Sequence, residues 1–558
     1  MCFKETQFFF FFFSLYRVCN KYKDTISKSV VVHSGSPAVY QLRPKKEKVG
    51  TLIKMTVGEK CLSNKNKNIL PVGETGAGKS TLINALMNYT MGVDFEDNVW
   101  FEIIEDEKRS QCESQTSDVM VYEIFGFEGK TLPYSLTIID TPGYGDTRGI
   151  EHDLIVSQRL FDLFRTENGV HEIHAVCLAL KASENRVSSR LRYIFNSIVS
   201  LFGKDMEKKI VVLVTYSDGI TPENALKALE AANIKCAKNE KNQPVHFMFN
   251  NRQSTPRTED NVLGLENAWR VTKRGMEQFT KFLKGSRAQT LEKTFEVLNS
   301  HIRITSCVNN LQDKVKLIEL KQREIEQIQE VLRKHEQEMK KNANFAVEVE
   351  EVYKVPVEIS GGMWGMVFFK GGVCCTVCEE NCHYPGCTMS LSPKDCKVMR
   401  GGRCTVCTGR CPVSVHVKEK WRYMAKTKKV KRTETEMKAK YEKNKLETKK
   451  KLTLLENLQK EMEALKEAKN QFLEESYQHV VSLEQIALNV NSVSTYVHLD
   501  FLIEKMKEKG DTQKVQKLEE IKSHVDTGTM EALQYMFGSL GDKVKAFGKA
   551  MFKGIVKT

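Results

Sequence analysis

No stretch of this 558-residue chain reaches the roughly 18–20 consecutive apolar residues that a membrane-crossing helix needs. A secretory signal is wanting as well. Phe8 to Phe13 is a run of six Phe with the length of a signal core, but only Lys4 precedes it and no small-x-small cleavage site follows. Residues 1–67 are therefore expected to be a disordered or extended leader, Ser- and Lys-rich from residue 24; a mis-translated leader is the alternative. The chain is too long for a single core, so two to four domains are expected. A hydrophobic content of 41% excludes a wholly disordered chain.

What the chain does hold is specific. Residues 73–80 read Gly-Glu-Thr-Gly-Ala-Gly-Lys-Ser, the phosphate-binding spacing G-x-x-x-x-G-K-[ST]. Glycines at 73, 76 and 78 let the backbone curl so that successive N–H groups point inward at phosphate oxygens. The candidate cradle is Gly73, Glu74, Thr75, Gly76, Ala77, Gly78, Lys79, Ser80 and Thr81. Lys79 supplies a point charge near the β- and γ-phosphates, and Ser80 offers a hydroxyl to Mg2+. The helix that starts here aims its positive N-terminus at the same anion.

From Asn68 on, apolar strand patterns alternate with helical ones. Strands are predicted at 69–72, 119–125, 135–139, 175–180, 209–215 and 245–250, with helices between them. This is an α/β pattern with a mostly parallel sheet and a ligand at the strands' C-terminal ends. Pro71 disagrees, because it removes a ladder donor from a strand that should be central. Asp140-Thr141-Pro142-Gly143 ends another strand in the same crevice. Asp140 there suits Mg2+, and the Gly143 N–H suits a γ-phosphate. Thr116, in Ser114-Gln115-Thr116-Ser117, is the candidate third Mg2+ ligand, with Ser114 the runner-up; a polar strand-entry turn is the alternative. Thr215-Tyr216-Ser217-Asp218 ends a later strand. Asp218 is placed to accept from guanine's N1–H and amine, Thr215 stands where Asn is usual, and Asn250 offers a donor to the guanine O6.

On these residues, 68–285 resemble a septin- or GIMAP-type P-loop GTPase of the TRAFAC class. The run from Ile138 to Gly149 is close to the septin switch region. The whole chain is also similar to large fish proteins that join such a domain to coiled coils. The resemblance implies a Ras-like fold, GTP or GDP with Mg2+, dimerisation across the nucleotide, and slow or partner-assisted hydrolysis. Tyr144 stands where efficient small GTPases carry a water-orienting Gln. Arg148, Glu151 and His152 lie nearby, and none is assigned a catalytic role.

Beyond the head the composition shifts. Val308, Leu311, Val315, Ile318, Ile325 and Leu332 recur at 3–4 spacing, so 286–344 are expected to be a coiled-coil helix; one helix of a bundle is the alternative. Residues 345–417 form a Cys-rich insert that carries nine of the 16 cysteines between Cys374 and Cys411. The candidate zinc ligands are Cys375, Cys378, Cys382, His383, Cys387, Cys396, Cys404, Cys407, Cys411 and His416, with their pairing left open. Such clustering points to metal in a reducing, cytoplasmic compartment; disulfides or free thiols are the rival readings. Residues 418–478 are expected to be a second, basic coiled-coil helix, with fifteen Lys/Arg against five Asp/Glu over 418–451, which keeps nucleic acid open as a partner. Residues 479–558 are expected to be helical, ending in a basic amphipathic helix over Leu540, Val544, Phe547, Met551 and Ile555 that suits docking on residues 480–525 or, as the alternative, an anionic membrane surface. The expected assembly is a homo-dimer or oligomer.

Overall fold

The computed structural model describes residues 21–49, 52–60, 65–104, 119–128, 131–142, 150–166, 168–341, 346–359, 371–387, 392–433, 454–490 and 493–523. It divides into two compact units. One comprises the residues up to Leu298 with Ile486–Val493; the other comprises Asn299–Gln485 with Ser494–His524.

The first unit opens with α1 (Lys23–Ser27), β1 (Val30–His33), β2 (Ala38–Gln41), β3 (Lys45–Val49) and β4 (Leu52–Val57). Then come β5 (Asn66–Gly73), α2 (Lys79–Met91), β6 (Val99–Glu102), β7 (Met120–Ile124), β8 (Ser135–Asp140) and α3 (Ile150–Arg165). It continues with β9 (Glu172–Ile173), β10 (Ala175–Lys181), α4 (Ser189–Val199), β11 (Ile210–Thr215), α5 (Glu223–Ala231), β12 (His246–Met248), α6 (Val262–Gly285) and β13 (Gln289–Thr290). One eight-stranded sheet runs in the order β12-β11-β10-β5-β8-β7-β4-β3. From β12 to β8 neighbours are parallel, and β7 runs antiparallel to β8. The central strands β5, β8, β10 and β11 are near-continuous apolar runs, buried along almost their whole length. That is the signature of strands covered on both faces.

The disordered or extended leader expected over 1–67 is corrected for its described residues from 21 on. Strand β4 pairs parallel with β7, and β3 closes the sheet edge against β4. Strands β1 and β2 join β6 in a separate three-stranded sheet. The hairpin reads as solvated because β3, Lys-Lys-Glu-Lys-Val, is an edge strand, where lysines block pairing with other chains. In β4 only Leu52 and Met55 are buried.

The objection from Pro71 also resolves. The β5–β8 ladder ends at Ile69↔Ile138, two residues before the proline. The Pro71 carbonyl faces β8, where it accepts from the Thr141 hydroxyl at 3.4 Å. A strand residue's N and C=O point to the same side, so the missing donor falls where the strands have already parted. The chain leaves β5 for β8 on one side and β10 on the other, which opens a crevice at the C-terminal end of β5.

Helix α7 (Glu292–Lys341) begins in the first unit and runs into the second. The second unit adds β14 (Ala346–Glu358), β15 (Gly371–Cys375), β16 (Glu380–Cys387), β17 (Met399–Arg400), β18 (Arg403–Cys404), β19 (His416–Glu419) and β20 (Trp421–Thr433). It closes with α8 (Leu454–Ile486), α9 (Val493–Lys509) and α10 (Thr512–Ser523). The basic helix expected from residue 418 is corrected: Trp421–Thr433 is a strand, and helix resumes at Leu454. Strand β20 pairs along its length with β14, setting Glu348 opposite Lys431, Glu350 opposite Lys429 and Glu351 opposite Lys428. Cross-strand charge pairs of this kind favour a ribbon over two solvated helices.

On α7 the predicted seam is used within the chain. Val308, Leu311 and Ile325 are buried, yet so are Asn309, Asn310, Lys314, Lys321 and Glu324. Asn309 donates to the Tyr384 carbonyl, and Asn310 exchanges two bonds with the Asn381 backbone. Lys321 pairs with Glu461 of α8, and Thr305 meets His498 of α9. Polar side chains at seam positions give α7 fixed partners in the Cys-rich part. The amphipathic tail lies outside the described residues.

Candidate functional site

Strand β5 delivers the glycine loop to the crevice, and α2 begins beyond it at Lys79. Gly76 and Gly78 sit at φ +80° and +81°, left-handed values that side chains resist. The loop closes on itself where Ala77 N–H donates to the Glu74 carbonyl at 3.1 Å. Lys79 turns back into it, donating to the carbonyls of Gly73 and Glu74 at 2.9 and 3.0 Å. Burial pushes its ammonium down to about 8, against the pull of Asp140 and Glu74. Asp140 is fully buried at the end of β8. Among the described residues the buried Thr75 hydroxyl has no hydrogen-bond partner. Ser80 is half-buried and Thr81 exposed in the first turn of α2.

Thr215, read as part of base recognition, acts first on the loop. Its buried hydroxyl donates to the Ala77 carbonyl at 2.8 Å, which ties the end of β11 to the cradle. A Cβ at Gly78 would lie 3.4 Å from the Thr215 methyl, so the loop passes this strand at contact distance. Tyr216 follows at φ +53° and is 55% exposed over the opening. Asp218 is exposed, and its carboxylate accepts the Ile220 N–H at 2.9 Å. Asn250 lies at the end of the neighbouring strand, with its N–H held by Thr272 at 2.9 Å. The structure thus brings Gly73 to Thr81, Asp140 and Thr215 to one crevice. Thr116, Gly143, Tyr144 and Arg148 lie outside the described residues, as do the side chains of Glu151 and His152.

Three supporting residues were missed in the sequence. Arg190, at the start of α4, pairs with Glu74 of the loop at 3.1 Å. Asn84 and Asn88 of α2 are buried. Asn88 accepts the Phe101 N–H at 2.9 Å and donates to its carbonyl at 2.6 Å, in the manner of a neighbouring strand. Asn84 accepts the Ile103 and Ile104 N–H groups at 3.0 and 3.3 Å. Together they fix the chain just before the segment that contains Thr116. The available signal was two amides at i,i+4 within the otherwise apolar run 82–88, which offers no wet face for them.

An inward-curled backbone, a buried ammonium with only carbonyl partners, an unsatisfied hydroxyl and a buried carboxylate on the next strand suit a polyphosphate with a divalent ion. Lys79 and the loop N–H groups would hold the phosphates, and Ser80 and Asp140 would hold Mg2+.

The second unit gathers the cysteines. Cys375, Cys378, Cys407 and Cys411 form one group, and Cys382, Cys404, Cys407 and His416 another. Within each, the donor atoms lie within 4.8 Å of one another. A tetrahedral ion with metal–sulfur bonds of about 2.3 Å spaces its ligands just under 4 Å apart, so both groups fit zinc with little movement. The backbone already favours thiolates: Cys378 N–H points at the Cys375 sulfur at 3.4 Å, Cys407 N–H at Cys404 at 3.4 Å, and Cys411 N–H at Cys407 at 3.2 Å. A side chain on Gly409 would come within 2.9 Å of one sulfur and 3.2 Å of another. His416 Nδ1 bonds the Pro412 carbonyl at 2.9 Å, which leaves the buried Nε2 with no hydrogen-bond partner among the described residues. That is how a ligating imidazole is held. Burial alone would lower the His416 pKa, but Cys404 and Cys407 beside it raise it to about 10.

The other expected ligands fall outside both groups. His383 and Cys396 pair with each other at 3.2 Å. The Cys387 side chain is not among those described. The local core is chiefly the cysteines themselves with Val373, Val398 and Val406.

Residues 64–155 match the family model described as Septin. "Neuronal-specific septin-3" of Danio rerio is 29% identical over 187 residues, 30% of this chain and 48% of that protein, so the chain spans about half the length of that relative. Among solved structures, a dimerization-deficient mutant of Toc33 from Arabidopsis thaliana matches at 16% identity, over 40% of this chain and 87% of that one, with a TM-score of 0.28. Toc33 in complex with GDP and Mg2+ matches at 15% identity over the same shares, with a TM-score of 0.27.

Proposed function

Because the chain carries a septin-like P-loop GTPase domain, we propose that it is a cytoplasmic GTP-binding protein of slow turnover whose nucleotide state controls self-association or partner docking. The observation that carries this reading is the buried Lys79 ammonium, folded into the glycine loop beside Asp140. An ion pushed down to about 8 by burial is costly alone and is recovered by a phosphate anion. Loop N–H groups and Lys79 bind the phosphates. Thr116, Ser80 and Asp140 would hold Mg2+, which when bound would neutralise charge on the β- and γ-phosphates. Asp218 accepts from guanine, and Asn250 offers a donor to its O6.

Slow turnover follows from Tyr144, which has no amide to orient an attacking water. The same residue supports a second reading, a scaffold that keeps nucleotide without hydrolysing it. Phosphate release by the purified chain, with Lys79→Ala as control, separates the two. Release above the control supports the switch. Tight binding with no release supports the scaffold. No binding of GTP in the presence of Mg2+ removes both. Nucleic acid is not favoured, because Glu348, Glu350 and Glu351 of β14 stand opposite three of the lysines that suggested it.

In the second unit the cysteine groups are read as zinc sites that are structural in role. They supply the cross-link that a core with three valines lacks.

A further inference from the structure

Both cysteine groups include Cys407, and it is the only residue they share. Two closed tetrahedral sites need eight ligand positions, and the groups supply seven residues. Among the described residues no eighth donor belongs to either group. Of the other expected ligands, His383 and Cys396 are engaged with each other, and the Cys387 side chain lies outside those described. We propose that the two groups form one binuclear zinc cluster, bridged by the Cys407 thiolate. This rests on the zinc reading above and adds the count and the connection.

A thiolate sulfur has lone pairs enough for two ions while still accepting the Cys411 N–H. The first ion takes Cys375, Cys378 and Cys411 with the bridge. The second takes Cys382, Cys404 and His416 Nε2 with the bridge. Each ligating thiol releases its proton to solvent as the metal enters, and His416 binds neutral. Neither ion keeps an open position, so the cluster has no place for an activated water. Six thiolates and two dications leave a net charge of about −2. A neighbouring cavity of about 500 Å³ that includes Cys404 carries Arg303, Arg400, Arg403 and Arg410 against Glu474 and Glu475, a surplus of positive charge beside the cluster.

The test is metal counting by native mass spectrometry on the full chain purified without chelator. Two zinc ions per chain are expected. Cys378→Ser should retain one, whereas Cys407→Ser should retain fewer than one. No zinc in the unsubstituted chain overturns the zinc reading itself. One zinc, or two that both survive Cys407→Ser, overturns the bridge and leaves the zinc reading standing. Because a Cys407 variant can misfold, cadmium NMR on the unsubstituted, cadmium-loaded chain gives a second readout. Two resonances coupled to each other through the shared sulfur are expected; two uncoupled resonances overturn the bridge.

Discussion

Lys79 sets the strongest residue-level prediction. Its pKa falls from an ordinary 10.5 to about 8 on folding, so between those values the unfolded chain binds more protons than the folded one. The sign is that stability conferred at this position rises with pH through the window, and the full cost of burial is present below pH 8. That cost is on the order of 2–4 kcal/mol. Lys79→Met should therefore abolish nucleotide binding while leaving the nucleotide-free head at least as stable at pH 7, and should flatten its gain in stability between pH 8 and 10. Denaturant titrations of both forms across pH check this. A variant that is less stable at pH 7 contradicts it. Thr215→Val keeps the shape and strand preference of the side chain but removes the hydroxyl that holds Ala77. The loss of one buried bond, about 1–1.5 kcal/mol, should weaken nucleotide affinity roughly tenfold by calorimetry with little change in the fold. Asn88→Ala leaves the Phe101 N–H and C=O without their side-chain partner. It should cost about 2–3 kcal/mol, read as a lower urea midpoint at unchanged slope.

The elements differ in how plainly the sequence announces them. The central strands and the glycine loop were legible because buried parallel strands are apolar throughout and the loop's glycines are dictated by left-handed backbone. The β3–β4 hairpin was not, because an edge strand is charged for the same reason that a solvated leader is. Strand β20 was missed for a related reason. Its lysines are balanced by glutamates some eighty positions earlier in β14, and no local window contains both halves of the ribbon. The cysteines announced candidate metal ligands but not their partition, since which sulfurs meet depends on how β15, β16 and β19 bring the two C-x-x-C turns together. Gly409 tests that turn directly. Gly409→Ala places a methyl against the Cys378 and Cys411 sulfurs. It should lower zinc retention at that pair of ligands, measured as metal released per chain during dialysis against a weak chelator.

At the scale of the whole molecule, one chain carries both the proposed nucleotide-binding head and the unit proposed to be stapled by metal. The Cys-rich part has a small apolar core, and the proposed zinc sites would cross-link it. A strong chelator should therefore increase proteolysis within 371–419 while leaving GTP affinity of the full chain within about twofold, an expectation for sites in separate units. The central claim is that occupancy of the loop by a triphosphate changes what the protein associates with, itself first. Sedimentation velocity of the zinc-replete chain, following protein and nucleotide absorbance together, tests it most directly. With Mg2+ and a non-hydrolysable GTP analogue, nucleotide should travel with a species heavier than the one seen with GDP or with Lys79→Met. A single unchanged boundary under all three conditions, or nucleotide that stays behind the protein, would contradict it.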